Sequence, residues 1–203
     1  MLTILLAAVV GYLLGAIPSA ELAARLRGRR IFEVGSGNMG AMNTARNLGI
    51  GLGLAVLAAD IGKGAAATAA GLALARAAGL GETASIVAGL AGATAAVTGH
   101  AWSAFVRWRG GKALATIFGA SLPLYPWGGL AGLAMILVVL AATRNAHTAA
   151  LATLLAVPAL VGLTSAAAGM PAPLAWLLAL GVLPQVVISW LRHRRPSPPA
   201  APR

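Results

Sequence analysis

Long apolar runs, divided by two short polar segments, set the plan of this chain. A helix needs about 20 apolar residues to span the hydrocarbon core of a bilayer, and the first such run goes from Leu2 to Ala24. A polar segment, residues 25–47, follows it. The second run extends from Leu48 to about Ala78, interrupted only by Asp60, Lys63 and, near its end, Arg76. The third goes from Thr83 to about His100, and a second polar segment occupies residues 107–112. A stretch from Ala113 to about Leu122 is too brief to cross unaided; three further runs lie near Trp127–Ala142, His147–Ser165 and Leu174–Leu191. The pattern predicts an all-α integral membrane protein of about seven transmembrane helices, one of them short, with polar, glycine-rich segments between them. Residues 1–191 read as one polytopic domain and residues 192–203 as a basic, proline-rich tail. No internal repeat is visible: the two polar segments differ in sequence and precede unlike helices.

Composition supports the membrane reading. Hydrophobic residues make up 59% of the chain and charged residues only 9%, with a mean hydropathy of +0.86. A soluble domain of this length has no such shortage of charge. The many small residues, 26 glycines among them, suit helices that approach closely in lipid. No basic stretch precedes the first apolar run, so that run reads as a retained membrane helix rather than a leader. The absence of cysteine excludes disulfides and cysteine-ligated metal, and three dispersed histidines with four acids make no metal site.

The net charge is +11, and thirteen of the fifteen basic residues sit in a few short segments that cap apolar runs. Because they form no stripe on a polar domain, nucleic acid is not an expected partner. The positive-inside rule orients the chain instead. With the N-terminus outside, Arg25, Arg27, Arg29, Arg30, Arg46, Arg107, Arg109, Lys112, Arg144, Arg192, Arg194, Arg195 and Arg203 fall inside. Only Arg76 falls outside, and Lys63 lies within a helix. This arrangement counts residues 113–122 as a crossing or part-crossing segment.

Three constellations carry candidate chemistry. The first is Gly35 to Arg46, where Gly35, Gly37 and Gly40 free the backbone to turn its N–H groups toward one point. Ser36, Asn38 and Asn43 add side-chain donors, Arg46 adds a fixed cation, and a helix starting near Asn43 would add its dipole. The second is Gly99 to Thr116. Here Gly110 and Gly111 precede Lys112 at the expected start of a short helix, a loose likeness to phosphate-binding loops without the Walker spacing. Arg107, Arg109, Trp102 and Trp108 read more simply as interfacial anchors. The third is Asp60 and Lys63, which share a helix face at i and i+3 and can pair. Charges inside a span usually face a polar cavity, although a structural lock between helices is the competing reading. His100 ends a span just before the second polar segment, while Glu21 and Glu33 read as salt-bridge partners of the nearby arginines.

Taken together, these residues resemble the bacterial acyl-phosphate-dependent glycerol-3-phosphate acyltransferases. The resemblance rests on GAIPSAELAARL (15–26), EVGSGNMGAMNTARNLG (33–49), DIGKG (60–64) and the Gly99–Thr116 segment, in the family's order and spacing. It implies a seven-helix enzyme of the bacterial inner membrane, multi-pass, with its site on the cytoplasmic face, and a monomer as the expected state. The implied reaction moves a fatty acyl group from acyl phosphate to the 1-hydroxyl of glycerol 3-phosphate, giving lysophosphatidic acid and phosphate for phospholipid synthesis. Membrane lipid is the surrounding partner, and no cofactor is implied. By the same resemblance Ser36, Arg46 and Lys112 serve catalysis, and Gly35, Gly37, Asn38, Gly40, Asn43, Gly110 and Gly111 bind substrate phosphate. Asp60, Lys63, His100, Arg144 and His193 support them.

The chain departs from the family pattern at named places. Met42 replaces a threonine and Ala113 a glycine. Asn145, His147 and Ala150 stand where a tyrosine and two serines are usual, and Pro196 stands where an asparagine is usual. Two other functions therefore stay open at this stage. One is a catalytically weak or silent relative acting as a membrane scaffold. The other is a transporter or flippase of an anionic lipid or phosphorylated solute.

Overall fold

The computed structural model describes residues 1–194, apart from the side chains of Ala146, His193 and Arg194. The described residues form ten α-helices: α1 (Leu2–Ala16), α2 (Ser19–Arg25), α3 (Ala41–Leu48), α4 (Ile50–Ala77), α5 (Glu82–Ala101), α6 (Leu114–Ser121), α7 (Pro126–Thr143), α8 (Ala146–Ala167), α9 (Ala172–Gly181) and α10 (Leu183–Arg194). Among the described residues six spans are long and apolar enough to cross a membrane: Leu2–Arg25, Ile50–Ala77, Glu82–Ala101, Pro126–Thr143, His147–Ala167 and Ala172–Arg192.

Local chemistry breaks three apolar runs that read as continuous. The first bends at Ile17, which is extended (φ −53°, ψ 117°) because Pro18 pushes the preceding residue out of the helical region. The second does not begin at Leu48. That residue ends α3, and Gly49 at φ 111° turns the chain into α4. The last run is offset at Val182, two residues before Pro184, whose nitrogen has no proton to donate. Helix α10 runs to Arg194, so residues 192–194 of the expected tail are helical. Residues 195–203, Pro196 among them, lie outside the described residues.

Small residues let the helices meet. Gly11 and Gly15 of α1 face Gly92 and Ala96 of α5 so closely that a Cβ on either would collide with backbone. Four-residue spacing on both partners makes this a small-residue seam, the arrangement that packs helices where lipid removes the hydrophobic drive. The α4–α6 contact is as tight: Thr68 donates its hydroxyl to the Ala120 carbonyl at 3.0 Å.

Helix α6 has eight residues, about 12 Å of rise. It runs beside α4 from the level of Gly64 toward that of Thr68, and the turn beyond it brings Leu124 beside Leu72 and Gly89. Those two residues lie near the Ala78–Gly81 turn. The α6 segment therefore carries the chain most of the way along the bundle before α7 returns. At the end opposite that turn, Ser103 donates to the Ala16 carbonyl at 2.6 Å and Arg109 stacks 3.9 Å from the Phe32 ring. Both polar segments and the end of α10 meet there, and Arg76 sits at the other end.

Candidate active site

The first polar segment is organised by one buried side chain. The Asn43 amide donates to the carbonyls of Val34 (2.9 Å) and Asn38 (3.1 Å), and its Oδ1 accepts from the Ser36 N–H at 3.1 Å. Asn47, one turn later in α3, also donates to that oxygen at 3.0 Å. Both Asn43 side-chain N–H groups, expected as donors to a ligand, are thus engaged within the loop. Gly35 and Gly37 take positive φ (54° and 65°), as expected, but the N–H groups of Gly37 and Gly40 donate to Val34 and Asn38 carbonyls. The backbone is braced rather than splayed as a donor ring. The exposed Ser36 hydroxyl accepts from the Asn38 N–H at 3.4 Å and keeps its own proton to donate, and the Asn38 side chain and the opening turn of α3 add further donors. That helix starts at Ala41 from Gly40, with no side-chain cap on its first N–H groups. Arg46 is exposed one turn further on.

In the second polar segment the two glycines serve close approach. The Gly111 N–H donates to the His100 carbonyl at 3.1 Å, and a Cβ on Gly111 would strike both the His100 ring and the Met39 carbonyl. A Cβ on Gly110 would strike the carbonyls of His100 and Ala101. Gly111 is therefore where the two polar segments and the end of α5 touch, and its N–H is not offered to a phosphate. Lys112 does not open α6: the chain must first reverse at Ala113 (φ 62°), and the helix begins at Leu114. Lys112 is half-buried, and that burial holds its ammonium below the usual lysine pKa of 10.5.

Asp60 and Lys63 pair as their spacing predicts, at 2.8 Å, with both side chains only 4% exposed. Lys63 also donates to the Ile17 carbonyl at 3.0 Å, at the break between α1 and α2. The His100 Nδ1 lies 3.6 Å from the Asp60 carboxylate. Because His100 is at the end of α5, the pair sits at the level of the polar segments. The first ten residues of α4 extend beyond it, and the pair lies nearer the polar end of the bundle than its middle. Glu21, buried, accepts from Arg25 at 3.0 Å and from the Ile31 N–H at 2.9 Å, and Glu33 lies 3.7 Å from Arg30, as expected for both.

A cavity of about 760 Å³ joins these parts. Ser36, Asn38, Asn43, Arg46, Asp60, His100 and Lys112 line its polar mouth. Its body runs between α6, α7 and α8 along Ile117, Phe118, Gly132, Ile136, Leu154 and Val157. Neither Lys63 nor Arg144 is part of this lining; Arg144 is an exposed, left-handed cap at the end of α7 (φ 52°). His147 and Ala150, noted only as departures, do line it. The His193 side chain lies outside what is described.

Several bracing residues escaped the sequence reading. Tyr12 donates to the Trp102 carbonyl at 3.0 Å and accepts from the Ala104 N–H at 3.2 Å. Arg192 holds the Gly110 and Gly111 carbonyls, and Ser189 donates to that of Lys112. None has a local signature, since each bonds to backbone some 77 to 92 positions away in the chain. Among the described residues no group of three or more His, Cys, Asp or Glu is placed to hold a metal ion.

Known proteins of similar sequence and fold agree with one another. A sequence model described as glycerol-3-phosphate acyltransferase matches residues 5–197. A glycerol-3-phosphate acyltransferase of Synechococcus sp. (strain CC9902) is 36% identical over 195 residues, covering 96% of this chain and 90% of its own. That of Parasynechococcus marenigrum (strain WH8102) is 38% identical over 190 residues, covering 93% and 79%. Among solved structures, PlsY (YgiH), an integral membrane glycerol 3-phosphate acyltransferase in its glycerol 3-phosphate form, superposes with a TM-score of 0.75. It is 27% identical, with 94% of this chain and 88% of that one covered. Its lysophosphatidic acid form gives a TM-score of 0.72 over the same shares.

Proposed function

This chain belongs to the glycerol-3-phosphate acyltransferase family, and from that premise we propose the reaction, donor and residue roles that follow. It is a multi-pass membrane acyltransferase that acylates glycerol 3-phosphate. The donor is acyl phosphate. The 1-hydroxyl oxygen of glycerol 3-phosphate attacks the acyl carbonyl carbon, an ester bond forms, and the carbon–oxygen bond to phosphate breaks. Lysophosphatidic acid and inorganic phosphate are released, the hydroxyl proton ending on the phosphate.

One observation carries this reading: a single cavity has a cationic, hydroxyl-bearing mouth and an apolar body. Both substrates are anionic at one end and the donor is apolar at the other. Arg46 and Lys112 supply charge at the mouth, while Ser36, Asn38 and the first turn of α3 supply donors. An acyl phosphate is already activated, so positioning and charge stabilisation are what the protein must add. Asn43, Gly35, Gly37, Gly40, Gly110 and Gly111 act by shaping the two polar segments, and Asp60, Lys63 and His100 by holding them to the helices.

The same reading places the chain in the bacterial inner membrane as a monomeric single domain, N-terminus outside and C-terminus cytoplasmic. The deciding experiment incubates the purified chain with glycerol 3-phosphate and either acyl phosphate or acyl-CoA. Lysophosphatidic acid from acyl phosphate alone is expected. Equal rates from acyl-CoA overturn the donor assignment. No product from either donor points to a silent relative, in which the replacements lining the cavity, His147 and Ala150, are the first suspects.

A further inference from the structure

The apolar body of the cavity has a definable floor. On α8 the lining runs His147, Ala150, Thr153, Leu154, Val157, Val161, a single face at helical spacing. From His147 at the mouth to Val161 it covers about 21 Å. Helix α7 runs the other way, presenting Ile136 toward the mouth, then Gly132, Gly129 and Gly128. The two helices converge as they go down. A Cβ on Gly132 would find ordinary room, 3.7 Å from Thr153 and 3.8 Å from Val157. One turn deeper, a Cβ on Gly128 would stand 2.9 Å from a Val161 methyl and 3.1 Å from its Cα. The buried Tyr125, at the N-terminus of α7, also lines this deep end.

We propose that the Gly128–Val161 contact is the stop that sets the longest acyl chain the enzyme accepts, and that Gly132 keeps the channel above it open. The proposal rests on the acyltransferase reading and names the part of that site which selects its donor. The physical reason is the narrowing. Above the contact Gly132 offers a hydrogen atom where another residue would have a side chain. At the contact the two helices touch, and a longer chain must displace close-packed atoms.

Two substitutions move the limit in opposite directions. Gly132→Leu puts a side chain into the channel about 6 Å before Val161, one helical turn. Val161→Ala removes two methyl groups at the floor. The measurement is turnover of the purified full chain on a graded series of saturated acyl phosphates, with melting temperature followed alongside. For Gly132→Leu the ratio of turnover on the longest to the shortest donor should fall roughly ten- to a hundredfold, the discrimination an apolar pocket gives when a chain no longer fits. For Val161→Ala the cut-off should move to longer chains. If both variants change all lengths by the same factor, the acyl chain leaves sideways into lipid and the stop assignment is overturned. If the wild type turns over no acyl phosphate, the acyltransferase reading fails. The stop is then read by thermal shift with alkyl phosphonates of graded length. Stabilisation that rises with length to a limit, displaced oppositely by the two variants, sustains it; a length-independent response overturns it.

Discussion

The Arg192 guanidinium near the end of α10 donates to the Gly110 carbonyl at 2.7 Å and reaches the Gly111 carbonyl at 3.3 Å. A residue that reads as a topological anchor thus holds the segment on which Lys112 is mounted. Its planar fork serves two carbonyls at once, which a lysine cannot copy. Arg192→Ala should raise KM for the phosphate substrates more than it lowers kcat, because Lys112 loses its placement but remains present. Arg192→Lys should fall between that variant and wild type. Steady-state kinetics read the split, and unchanged KM in Arg192→Ala removes the link to Lys112.

Lys112→Ala should lose a charge-assisted contact of about 1.5–3 kcal/mol, roughly a 10- to 100-fold drop in kcat/KM, with melting unchanged. The pH dependence has a definite sign. Burial places the Lys112 pKa below 10.5 in the ligand-free protein, and a bound phosphate favours the charged form and raises it. Affinity is therefore full below the ligand-free pKa and declines as pH rises from there toward the ligand-bound value. Lys112→Arg should remove that alkaline decline. Glycerol 3-phosphate binding, measured across alkaline pH in both proteins, tests it.

Ser36 and Arg46 both line the cavity, and the Ser36 N–H donates to the Asn43 brace. Ser36→Ala and Arg46→Lys should each reduce turnover at least tenfold, since each removes hydrogen bonds to charged oxygen. Neither residue is buried, so melting in detergent should not move. Turnover that matches wild type in both variants would take the phosphate site away from this loop.

Lys63→Met leaves the Asp60 carboxylate buried without its cation, a loss of about 3–5 kcal/mol when one partner of such a pair is removed. Asp60→Asn added to Lys63→Met should recover part of it. Thermal melting of the single and double variants checks the coupling. A single variant as stable as wild type means that the pair is solvated in solution.

Reporter fusions at the two ends should report the N-terminus outside and the C-terminus in the cytoplasm, following the basic residues gathered at one end of the bundle. A cytoplasmic signal from an N-terminal fusion overturns the orientation.

Hydropathy made the membrane class legible, because the cost of placing each side chain in lipid is largely its own and adds along a segment. The two polar segments stood out for the same reason, and the Asp60–Lys63 pair followed from helical periodicity alone. Loop chemistry was partly legible. Glycines and donors marked where a site would be, but not which donors a ligand would meet. The Asn43 amide turned inward and the Gly111 N–H went to His100, because buried polar groups bond to whatever the folded chain brings nearest.

Residue order and composition by themselves determined the apolar runs, the segments between them and the face on which positive charge collects. Each follows from short-range physics: transfer free energy, proline and glycine geometry, helical spacing. Only the tertiary structure decided that Arg192 supports the Lys112 segment and that the cavity narrows where Gly128 meets Val161. Those outcomes depend on the distance between atoms far apart in the chain, and close packing sets that distance for all elements together.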